Sequence, residues 1–258
     1  MAAMELFDLH GKAAIVTGGN GGIGLGVARG LAAAGADVAV AGRNESKTAA
    51  AVQELLQFGV RAIGIQVDVT DEAQVKQMVA DTVSALGGVD ILVANAGTTI
   101  RKRPEDYALA EWHYILDTNL TSMFTCCQVV YPEMQRRGGG KIVTIGSMAS
   151  LFGFDVAAIY AATKGGVVQL TRSLASAWAR DRIQVNCILP GWIDTDLTVG
   201  ARQQRPHLHD NVLTRTPTGR WGQPADLAGA AVFFCSQASD FVTGTALPVD
   251  GGFSSSMF

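Results

Sequence analysis

The sequence predicts an α/β protein built on one doubly wound parallel sheet with helices on both faces. Two observations support this fold class. Short segments rich in β-branched residues alternate along the whole chain with longer, alanine-rich segments of helical period. The short segments are apolar nearly throughout, as strands covered on both faces must be. Because 258 residues with 48% hydrophobic content suffice for one large core, we expect a single domain spanning residues 1–258.

The first half of the chain contains four predicted strands, with a helix after each of the first three. The strands are "KAAIVTGG", "DVAVAG", "RAIGIQVDV" and "DILVANAG", and the helices lie near 22–34, 45–58 and 71–86. Gly35, Gly59 and the pair Gly87 and Gly88 precede the second, third and fourth strands. Glycines at these places are turn signals that separate each helix from the next strand.

The second half continues the alternation with three strands and three long helices. The strands are "KIVTIGS", "IQVNCILPG" and "ALPVDGG", and the helices lie near 111–137, 158–180 and 224–236. Apolar residues spread around the first two helices, as in "MFTCCQVVY" and "GGVVQLTRSLASAW". This spread indicates burial on more than one side, either in the core of one subunit or between subunits.

The segment 192–224, "WIDTDLTVGARQQRPHLHDNVLTRTPTGRWGQP", interrupts this alternation. It is polar and basic and shows little periodicity. It leaves from the carboxyl end of the sixth strand, where open α/β sheets bind their ligands. We therefore expect a substrate lid, with a disordered surface segment as the alternative.

Composition and charge disfavour several classes of function. The formal net charge is -3, the pI is about 5.8 and no block of five like charges occurs, so we expect no nucleic-acid partner. The sequence shows neither a signal peptide nor a stretch of roughly 18 apolar residues, so we expect no membrane partner and a cytoplasmic location. The scattered histidines and cysteines predict no metal site and reduced core thiols at Cys126, Cys127, Cys187 and Cys235.

A glycine-rich turn, "TGGNGGIGLG", lies between the first strand and the first helix. Gly19, Gly21 and Gly24 fit G-x-G-x-x-G, and positions 17, 18, 22 and 24 fit T-G-x-x-x-G-x-G equally well. In both registers a backbone without Cβ atoms lets a phosphate approach the amides at the start of a helix. The turn therefore predicts a Rossmann-type dinucleotide site.

The end of the second strand bears on the choice of dinucleotide. An acidic residue there would hold the adenosine ribose hydroxyls, whereas a cation would accept the 2′-phosphate of NADP(H). The strand ends in Gly42 and Arg43, which favours NADP(H). Glu45 keeps NAD(H) open, and a solvated surface arginine is the alternative for Arg43.

Further short motifs follow the glycine-rich turn in order along the chain. They are "TGGNGGIG" itself, "DV" at 68–69, "NAG" at 95–97, "TNL" around Asn119, "GS" at Ser147, "YAATK" at 160–164 and "PGWIDT" at 190–195. With these motifs the sequence resembles the short-chain dehydrogenase/reductase family from Gly11 to Gly252. Ala94 departs from the family pattern, which often has a second asparagine before "NAG". The resemblance implies a homotetramer and a set of cofactor-binding residues: Gly18, Asn20, Gly22, Ile23, Gly24, Arg43, Asp68, Val69, Asn95, Ala96, Gly97, Tyr160, Lys164, Pro190, Gly191, Ile193 and Thr195.

Tyr160 and Lys164 lie four residues apart and share one face of a predicted helix. Lowering the pKa of a tyrosine from near 10 by about three units requires roughly 4 kcal/mol of preferential stabilisation of the phenolate. The Lys164 ammonium, with the positive nicotinamide ring of an oxidised cofactor, would supply it. Tyr160 is therefore the predicted acid and base that interconverts an alcohol and a carbonyl.

The resemblance implies the remaining catalytic roles. Lys164 would also hold the nicotinamide ribose, Ser147 would orient the substrate carbonyl, and Asn119 would help hold a water relay. Each residue has an ordinary alternative: a surface pair for Tyr160 and Lys164, a cap or turn residue for Ser147, and a satisfied core amide for Asn119.

The substrate prediction depends on Arg101 in "AGTTIRKRP", because a guanidinium near the pocket suits a carboxylate. With "GRWGQP" and "GSMASLFG", it makes the chain look most like the sugar-acid branch of the family, such as gluconate 5-dehydrogenases and 2-deoxy-gluconate 3-dehydrogenases. Arg202 and Arg205 of the lid add positive charge, and a solvent-facing Arg101 is the alternative.

Phe152, Phe154 and Trp192 are also candidates to line the substrate pocket. An aromatic pocket would favour a 3-oxoacyl thioester or a cyclic or steroid-like ketone instead of a sugar acid. A dinucleotide-binding module without catalysis is the most distant alternative, because Tyr160 and Lys164 are both present.

Overall fold

The computed structural model describes residues 3–256 and contains one parallel sheet of seven strands. The strand order is β3-β2-β1-β4-β5-β6-β7, so the direction of winding reverses between β1 and β4. Ligands of open α/β sheets bind at such a reversal, beyond the carboxyl ends of the strands. The strands are β1 (Ala13–Thr17), β2 (Asp37–Gly42), β3 (Ala62–Gln66), β4 (Ile91–Ala94), β5 (Gly140–Ile145), β6 (Ile183–Pro190) and β7 (Ala246–Val249).

The helices begin and end largely where the sequence predicts. Asn44 accepts a hydrogen bond from the Lys47 amide at the start of the second helix, and Asp71 caps the third in the same way. Gly87 ends the third helix in the left-handed conformation. The helices are α1 (Gly22–Ala33), α2 (Glu45–Leu55), α3 (Glu72–Leu86), α4 (Leu109–Leu116), α5 (Ser122–Arg136), α6 (Ala158–Trp178), α7 (Asp196–Gln204), α8 (Leu208–Arg215) and α9 (Ala228–Cys235).

Two hydrophobic layers enclose the sheet, one on each face. Neighbouring residues of β1 alternate between them: Ile15 belongs to the layer with α3, α5 and α6, and Val16 to the layer with α1, α2 and α9. Both are fully buried. Burial on both faces accounts for the continuously apolar strands and confirms the predicted doubly wound sheet. Within residues 3–256, no helix is long and apolar enough to cross a membrane.

Several elements differ from the prediction. The helix expected near 111–137 contains a π-helical stretch, Asp117–Thr121, between α4 and α5. The segment 192–224 is largely helical, because it contains α7 and α8, whose side chains share a small core with Trp221. Two short helices that pack on each other and on a distant tryptophan leave no single period in the sequence. A short 3-10 helix, Ala3–Phe7, was not predicted.

Candidate active site

The glycine-rich turn between β1 and α1 adopts one of the two predicted registers. Gly18 and Gly22 have positive φ angles of 62° and 49°, a conformation that favours glycine. A Cβ atom on Gly24 would lie 2.1 Å from the Gly18 carbonyl oxygen, whereas one on Gly21 would meet nothing within 4 Å. A Cβ atom on Gly19 would also lie close to backbone, 2.7 Å from the Val16 carbonyl oxygen, so Gly21 is the glycine of G-x-G-x-x-G that the turn does not require. The geometry therefore favours T-G-x-x-x-G-x-G. The backbone thus forms a side-chain-free cradle at the amino end of α1, which fits the phosphates of a dinucleotide.

Asn95, predicted to contact the cofactor, braces this turn from β4. Its Nδ2 donates to the carbonyl oxygens of Thr17 and Gly18 at 2.9 and 3.2 Å. The Thr17 hydroxyl in turn accepts from the amides of Asn95 and Ala96. The Asn95 side chain therefore holds the glycine-rich turn against β4.

An open cleft runs from this turn along the carboxyl edge of the sheet. Its walls include part of the predicted cofactor set, namely Gly18, Asn20, Arg43, Asp68, Val69, Ala96 and Gly97. Sequence reasoning missed the other wall residues: Ala41, Gly42, Val67, Thr70, Tyr114, Asp117 and Thr118. The first four lie next to predicted strand ends, which was an available signal. The last three come from α4 and the π-helical stretch, and nothing in their local sequence marks them.

The far end of the cleft has a cationic rim. Arg43 is exposed there, and its charge contributes to lowering the pKa of Asp68, whose main stabilisation comes from hydrogen bonds donated by Thr70. A Cβ on Gly42 would lie 2.3 Å from Nδ2 of Asn20. The end of β2 therefore has no room for a carboxylate side chain unless Asn20 moves.

The "PGWIDT" motif contributes mainly packing. A Cβ on Gly191 would lie 2.6 Å from the Cα of Asp250, and the side chain of Ile193 is buried in the core. Thr195 comes nearest the glycine turn, because its Cγ2 lies 3.3 Å from the position of a Cβ on Gly22. Of the other predicted cofactor residues, Ile23 packs against the core, and Pro190 is the last residue of β6.

Three predicted catalytic residues come together beside this cleft, from β5 and α6. Ser147 follows β5, and the interaction of its side chain with the Tyr160 phenol lowers the pKa of that phenol. The Lys164 Nζ lies 5.7 Å from the centre of the Tyr160 ring and donates to the Ile145 carbonyl oxygen at 2.7 Å. Because Lys164 is only 3% exposed, the alternative of an ordinary surface pair is wrong.

Several groups of this chain act on the pKa of Tyr160. Burial raises the pKa of Tyr160, while the hydrogen bond from Ser147 and the charge of Arg101 lower it in part. The Lys164 amino group donates to the Ile145 carbonyl oxygen, and burial lowers the pKa of Lys164 to about 8. The expectation that Lys164, with the nicotinamide ring, lowers the phenol pKa stays a prediction.

Asn119 occupies the π-helical stretch and is fully buried. Its Oδ1 accepts from the Thr98 amide at 2.8 Å, and its Nδ2 donates to the Thr98 carbonyl at 2.9 Å. Nδ2 also lies 3.3 Å from the hydroxyl of Thr163, which donates to the Tyr160 carbonyl. Asn119 therefore fixes the loop after β4 against α6, and its part in a water relay stays a prediction.

Arg101 lies beside the catalytic residues. Its guanidinium is half-buried and donates to the Leu197 carbonyl of α7 at 3.2 Å. Within residues 3–256 it has no carboxylate partner, and its charge interacts with Tyr160. The Arg101 side chain is therefore partly buried, and its contact with substrate stays a prediction.

The other two arginines expected to recognise a carboxylate are already paired. Arg202 contacts Asp194 and stacks on the Trp221 ring, and Arg205 lies 2.6 Å from Asp155. These pairs neutralise the charge that the lid was expected to add.

Aromatic side chains form one wall of the same region. The Phe154 and Trp192 rings lie 5.8 Å apart, and Trp192 packs on Trp221 at 5.7 Å. Phe152, which was grouped with them, contacts Phe253 of the C-terminal segment instead.

Comparisons with known proteins agree with this geometry. A family model described as "Enoyl-(Acyl carrier protein) reductase" matches residues 18–254. The gluconate 5-dehydrogenase of Gluconobacter oxydans is 40% identical over 257 residues, which cover 100% of both chains. The chain belongs to the short-chain dehydrogenase/reductase family. It is therefore an oxidoreductase that uses a nicotinamide dinucleotide to interconvert an alcohol and a carbonyl.

Solved structures of short-chain dehydrogenases/reductases superpose closely on this fold. A gluconate 5-dehydrogenase from Burkholderia cenocepacia, in complex with NADP and tartrate, has a TM-score of 0.93 at 41% identity, covering 99% of this chain and 100% of that one. A 7α-hydroxysteroid dehydrogenase complexed with NADH and a 7-oxo bile acid conjugate has a TM-score of 0.92 at 38% identity, covering 98% of both chains. In these two relatives the same fold thus binds a small hydroxy acid and a steroid.

Proposed function

We propose that the protein interconverts a secondary alcohol and a ketone on a sugar acid, with NADP(H) as the preferred dinucleotide. The observation that carries this proposal is the place of Arg101, a half-buried guanidinium whose charge acts on Tyr160 and which has no carboxylate partner among the described residues. A substrate whose carbonyl faces Tyr160 would present its carboxylate to that guanidinium. The gluconate 5-dehydrogenase relatives and the tartrate in the Burkholderia structure support this substrate class.

The bound dinucleotide supplies a hydride to the carbonyl carbon, or removes one from the alcohol. Tyr160 donates a proton to the carbonyl oxygen during reduction and accepts one during oxidation. Ser147 hydrogen-bonds that oxygen and orients it. Lys164 holds the nicotinamide ribose, and Asn119 fixes the loop that carries Gly97 and Thr98 beside it.

The preference for NADP(H) is supported by the rim of the cleft. Arg43 is an exposed cation next to the end of β2, and Asn20 fills the space where a side chain on Gly42 would stand. Three relatives of known structure contain NADP, including the Burkholderia enzyme. NAD(H) remains the second choice, since the steroid dehydrogenase holds NADH.

The helical segment 192–224 is the proposed substrate lid of a single domain. It is tied to the rest of the site by polar contacts from both sides: Arg101 donates to Leu197 of α7, and Lys47 of α2 contacts Asp196 at 3.1 Å. We also propose a cytoplasmic location, which the four buried free cysteines support, because unpaired thiols are typical of reducing compartments.

A homotetramer is the proposed assembly. Leu109 and Trp112 of α4 and Phe124 of α5 are exposed by 72%, 40% and 43% although they are large and apolar. Large apolar side chains on one pair of helices favour contact with a second copy of the chain.

A second candidate substrate is a steroid-like or other cyclic ketone. The aromatic wall formed by Phe154, Trp192 and Trp221 favours it, as does the likeness to the 7α-hydroxysteroid dehydrogenase. A 3-oxoacyl thioester is a third substrate of this less polar kind.

The test is the initial rate of NADPH and NADH oxidation with 5-keto-gluconate, a 3-oxoacyl thioester and a cyclic ketone. For the sugar acid, we expect Arg101→Met to raise KM by about 10- to 100-fold, because a charge-assisted hydrogen bond of roughly 1.5–3 kcal/mol is lost. Arg103→Met is the matched control, since Arg103 is an exposed arginine of the same loop that is paired with Glu105.

The outcomes separate the parts of this proposal. A Tyr160→Phe variant as active as the parent would refute the assignment of the acid and base. Turnover of the apolar ketones alone would refute the sugar acid while leaving Tyr160 in place. Faster oxidation of NADH than of NADPH would refute the role given to Arg43.

A further inference from the structure

Ser147 and Tyr160 act on the same oxygen atom but come from different elements. Ser147 lies in the short 3-10 turn that follows β5, and Tyr160 lies in the first turn of α6. Residues 151–157 connect the two without helix or strand. Such a connection does not by itself fix the distance between the two hydroxyl groups, so another contact must hold them in register.

Ser150 makes that contact, through both functions of its hydroxyl. The oxygen accepts a hydrogen bond from the Ser147 amide at 3.2 Å, and the hydroxyl donates to the carbonyl of Lys164 at 2.7 Å. The first bond closes the turn that carries Ser147. The second reaches α6, one turn after Tyr160, at the residue that supplies the buried ammonium.

The hydrogen bonds of the turn also orient the Ser147 hydroxyl. Its oxygen accepts from the Ala149 amide at 3.1 Å. One acceptor position of the oxygen is therefore occupied, while its single proton is left for the oxygen on which Tyr160 acts. Movement of the turn would change the direction of that proton.

The glycine at position 146 leaves space for the Ser150 hydroxyl. A Cβ atom on Gly146 would lie only 3.0 Å from the Ser150 oxygen and 2.4 Å from a methyl carbon of Leu189. Position 146 is therefore confined to glycine at the place where the hydroxyl passes. A cap of the 3-10 turn alone would need the bond to Ser147 and not the bond to Lys164, fourteen residues along the chain.

We propose that Ser150 is a positioning residue, whose hydroxyl ties the Ser147 turn to the catalytic helix and thereby sets the place of the Ser147 hydroxyl in the reaction. The proposal rests on the proposed function, because it needs Ser147 and Tyr160 to act on one substrate oxygen. It assigns Ser150 no contact with substrate or dinucleotide.

The test is a double-mutant cycle between Ser150→Ala and Ser147→Ala, measured as kcat with the best carbonyl substrate. We expect Ser150→Ala to lower kcat about 10-fold with the KM for NADPH unchanged, because misplacing a catalytic group by a fraction of an ångström costs rate rather than cofactor affinity. In the Ser147→Ala background the same change should have no further effect, since its action passes through Ser147.

Two further readouts distinguish positioning from stability alone. In the direction of alcohol oxidation, which needs the phenolate, the rate of Ser150→Ala should reach half its plateau at higher pH than that of the parent, because Ser147 no longer stabilises the phenolate. Ser150→Thr, which keeps the hydroxyl, should restore most of kcat. Ser173→Ala is the matched control, since that exposed serine of α6 bonds only to its own helix.

Equal losses of kcat from Ser150→Ala in the presence and absence of Ser147 would overturn the proposal, as would an unchanged pH profile. If Tyr160→Phe abolishes turnover while Ser150→Ala retains it in full, the proposed function stands and the role of Ser150 alone is refuted. If Tyr160→Phe is fully active, the proposed function fails and takes this inference with it. Melting curves of all variants show whether a loss of rate reflects unfolding.

Discussion

At the scale of single residues, Lys164 is an ammonium buried among core side chains with the Ile145 carbonyl as its hydrogen-bond partner. Burial lowers the pKa of Lys164 from 10.5 to about 8. Below pH 8 the buried Lys164 is charged in the folded protein, which lowers the free energy of unfolding. Stability that is given up for a functional group is recovered when the group is replaced by an apolar one of similar shape.

We expect Lys164→Met to be inactive yet more stable than the parent at pH 7. The difference between 10.5 and about 8 corresponds to about 3 kcal/mol, from which the unmet Ile145 carbonyl subtracts roughly 1–2 kcal/mol. Between those two pKa values the unfolded chain binds more protons than the folded one, so the parent gains stability as the pH rises from 8 to 10.5. The difference in free energy of unfolding between variant and parent should therefore shrink over this range. Urea unfolding at pH 7 and pH 10 measures that difference.

The matched control is Lys76→Met, which removes an exposed lysine of α3. A Lys164→Met variant less stable than the parent at pH 7, or a gap that stays constant with pH, would contradict the buried-charge explanation.

A second prediction concerns the glycine-rich turn. Gly24→Ala places a Cβ 2.1 Å from the Gly18 carbonyl, so the cradle must shift, at a cost of about 1–3 kcal/mol. We expect dinucleotide affinity to fall by about 10- to 100-fold. Titration of NADPH fluorescence measures it, with Gly21→Ala as the matched control because its Cβ meets nothing. Equal losses in both variants would contradict the register described for the turn.

The catalytic residues were predictable at this scale, whereas their electrostatics were not. Ser147, Tyr160 and Lys164 stand in a recognisable order and lie together as expected. The sequence places Lys164 four residues from Tyr160, but it does not show that the ammonium is directed to Ile145. The charge of Arg101, 59 positions before Tyr160 in the chain, also lowers the pKa of the phenol, and only folding brings the two residues together.

At the scale of elements, a partly buried ion pair joins α5 to β4 at the amino edge of the sheet. Arg137, which directly follows α5, makes two-pronged contact with Asp90, the residue before β4, at 2.8 to 3.1 Å. Asp90 also accepts from the Ala13 amide of β1 at 2.9 Å. One carboxylate thus ties two neighbouring strands and a helix end.

We expect Arg137→Met to lower the free energy of unfolding by about 3 kcal/mol, because it leaves the Asp90 carboxylate, 9% exposed, without its main partner. The double variant Arg137→Met with Asp90→Asn should recover part of that loss. Arg136→Met is the matched control, since the Arg136 side chain is 65% exposed and is paired with Glu133 of its own helix. This change should alter the free energy of unfolding by less than about 1 kcal/mol. Equal effects of the two arginines would contradict this explanation.

Most helices and all seven strands were predictable, and the exceptions have a common cause. The alternation succeeds where each element packs on the sheet, because its apolar period is set by that contact. The helices α7 and α8 pack on each other and on Trp221, so their apolar residues follow no single period. The π-helical stretch at Asn119 depends on hydrogen bonds to Thr98, a residue outside the helix.

At the scale of the whole molecule, the proposed homotetramer can be tested directly. We expect the double variant Trp112→Glu with Phe124→Glu to dissociate the homotetramer, because both side chains are large, apolar and about 40% exposed in one chain. Light scattering after gel filtration measures the mass. Phe58→Glu, which alters an exposed phenylalanine after α2, is the matched control. A parent that elutes as a monomer would refute the assembly.

The sequence by itself determined the doubly wound sheet, the presence of a glycine cradle and the identities of Ser147, Tyr160 and Lys164. These depend on local periodicity, on backbone freedom and on short motifs, which neighbouring residues carry in the chain. The tertiary structure decided which glycines are required and that Asn95 braces the turn. It also decided that Arg202 and Arg205 are paired, while Arg101 has no carboxylate partner in the part of the chain that the structure describes. Those outcomes depend on distances between residues far apart in the chain, which only the packed fold sets.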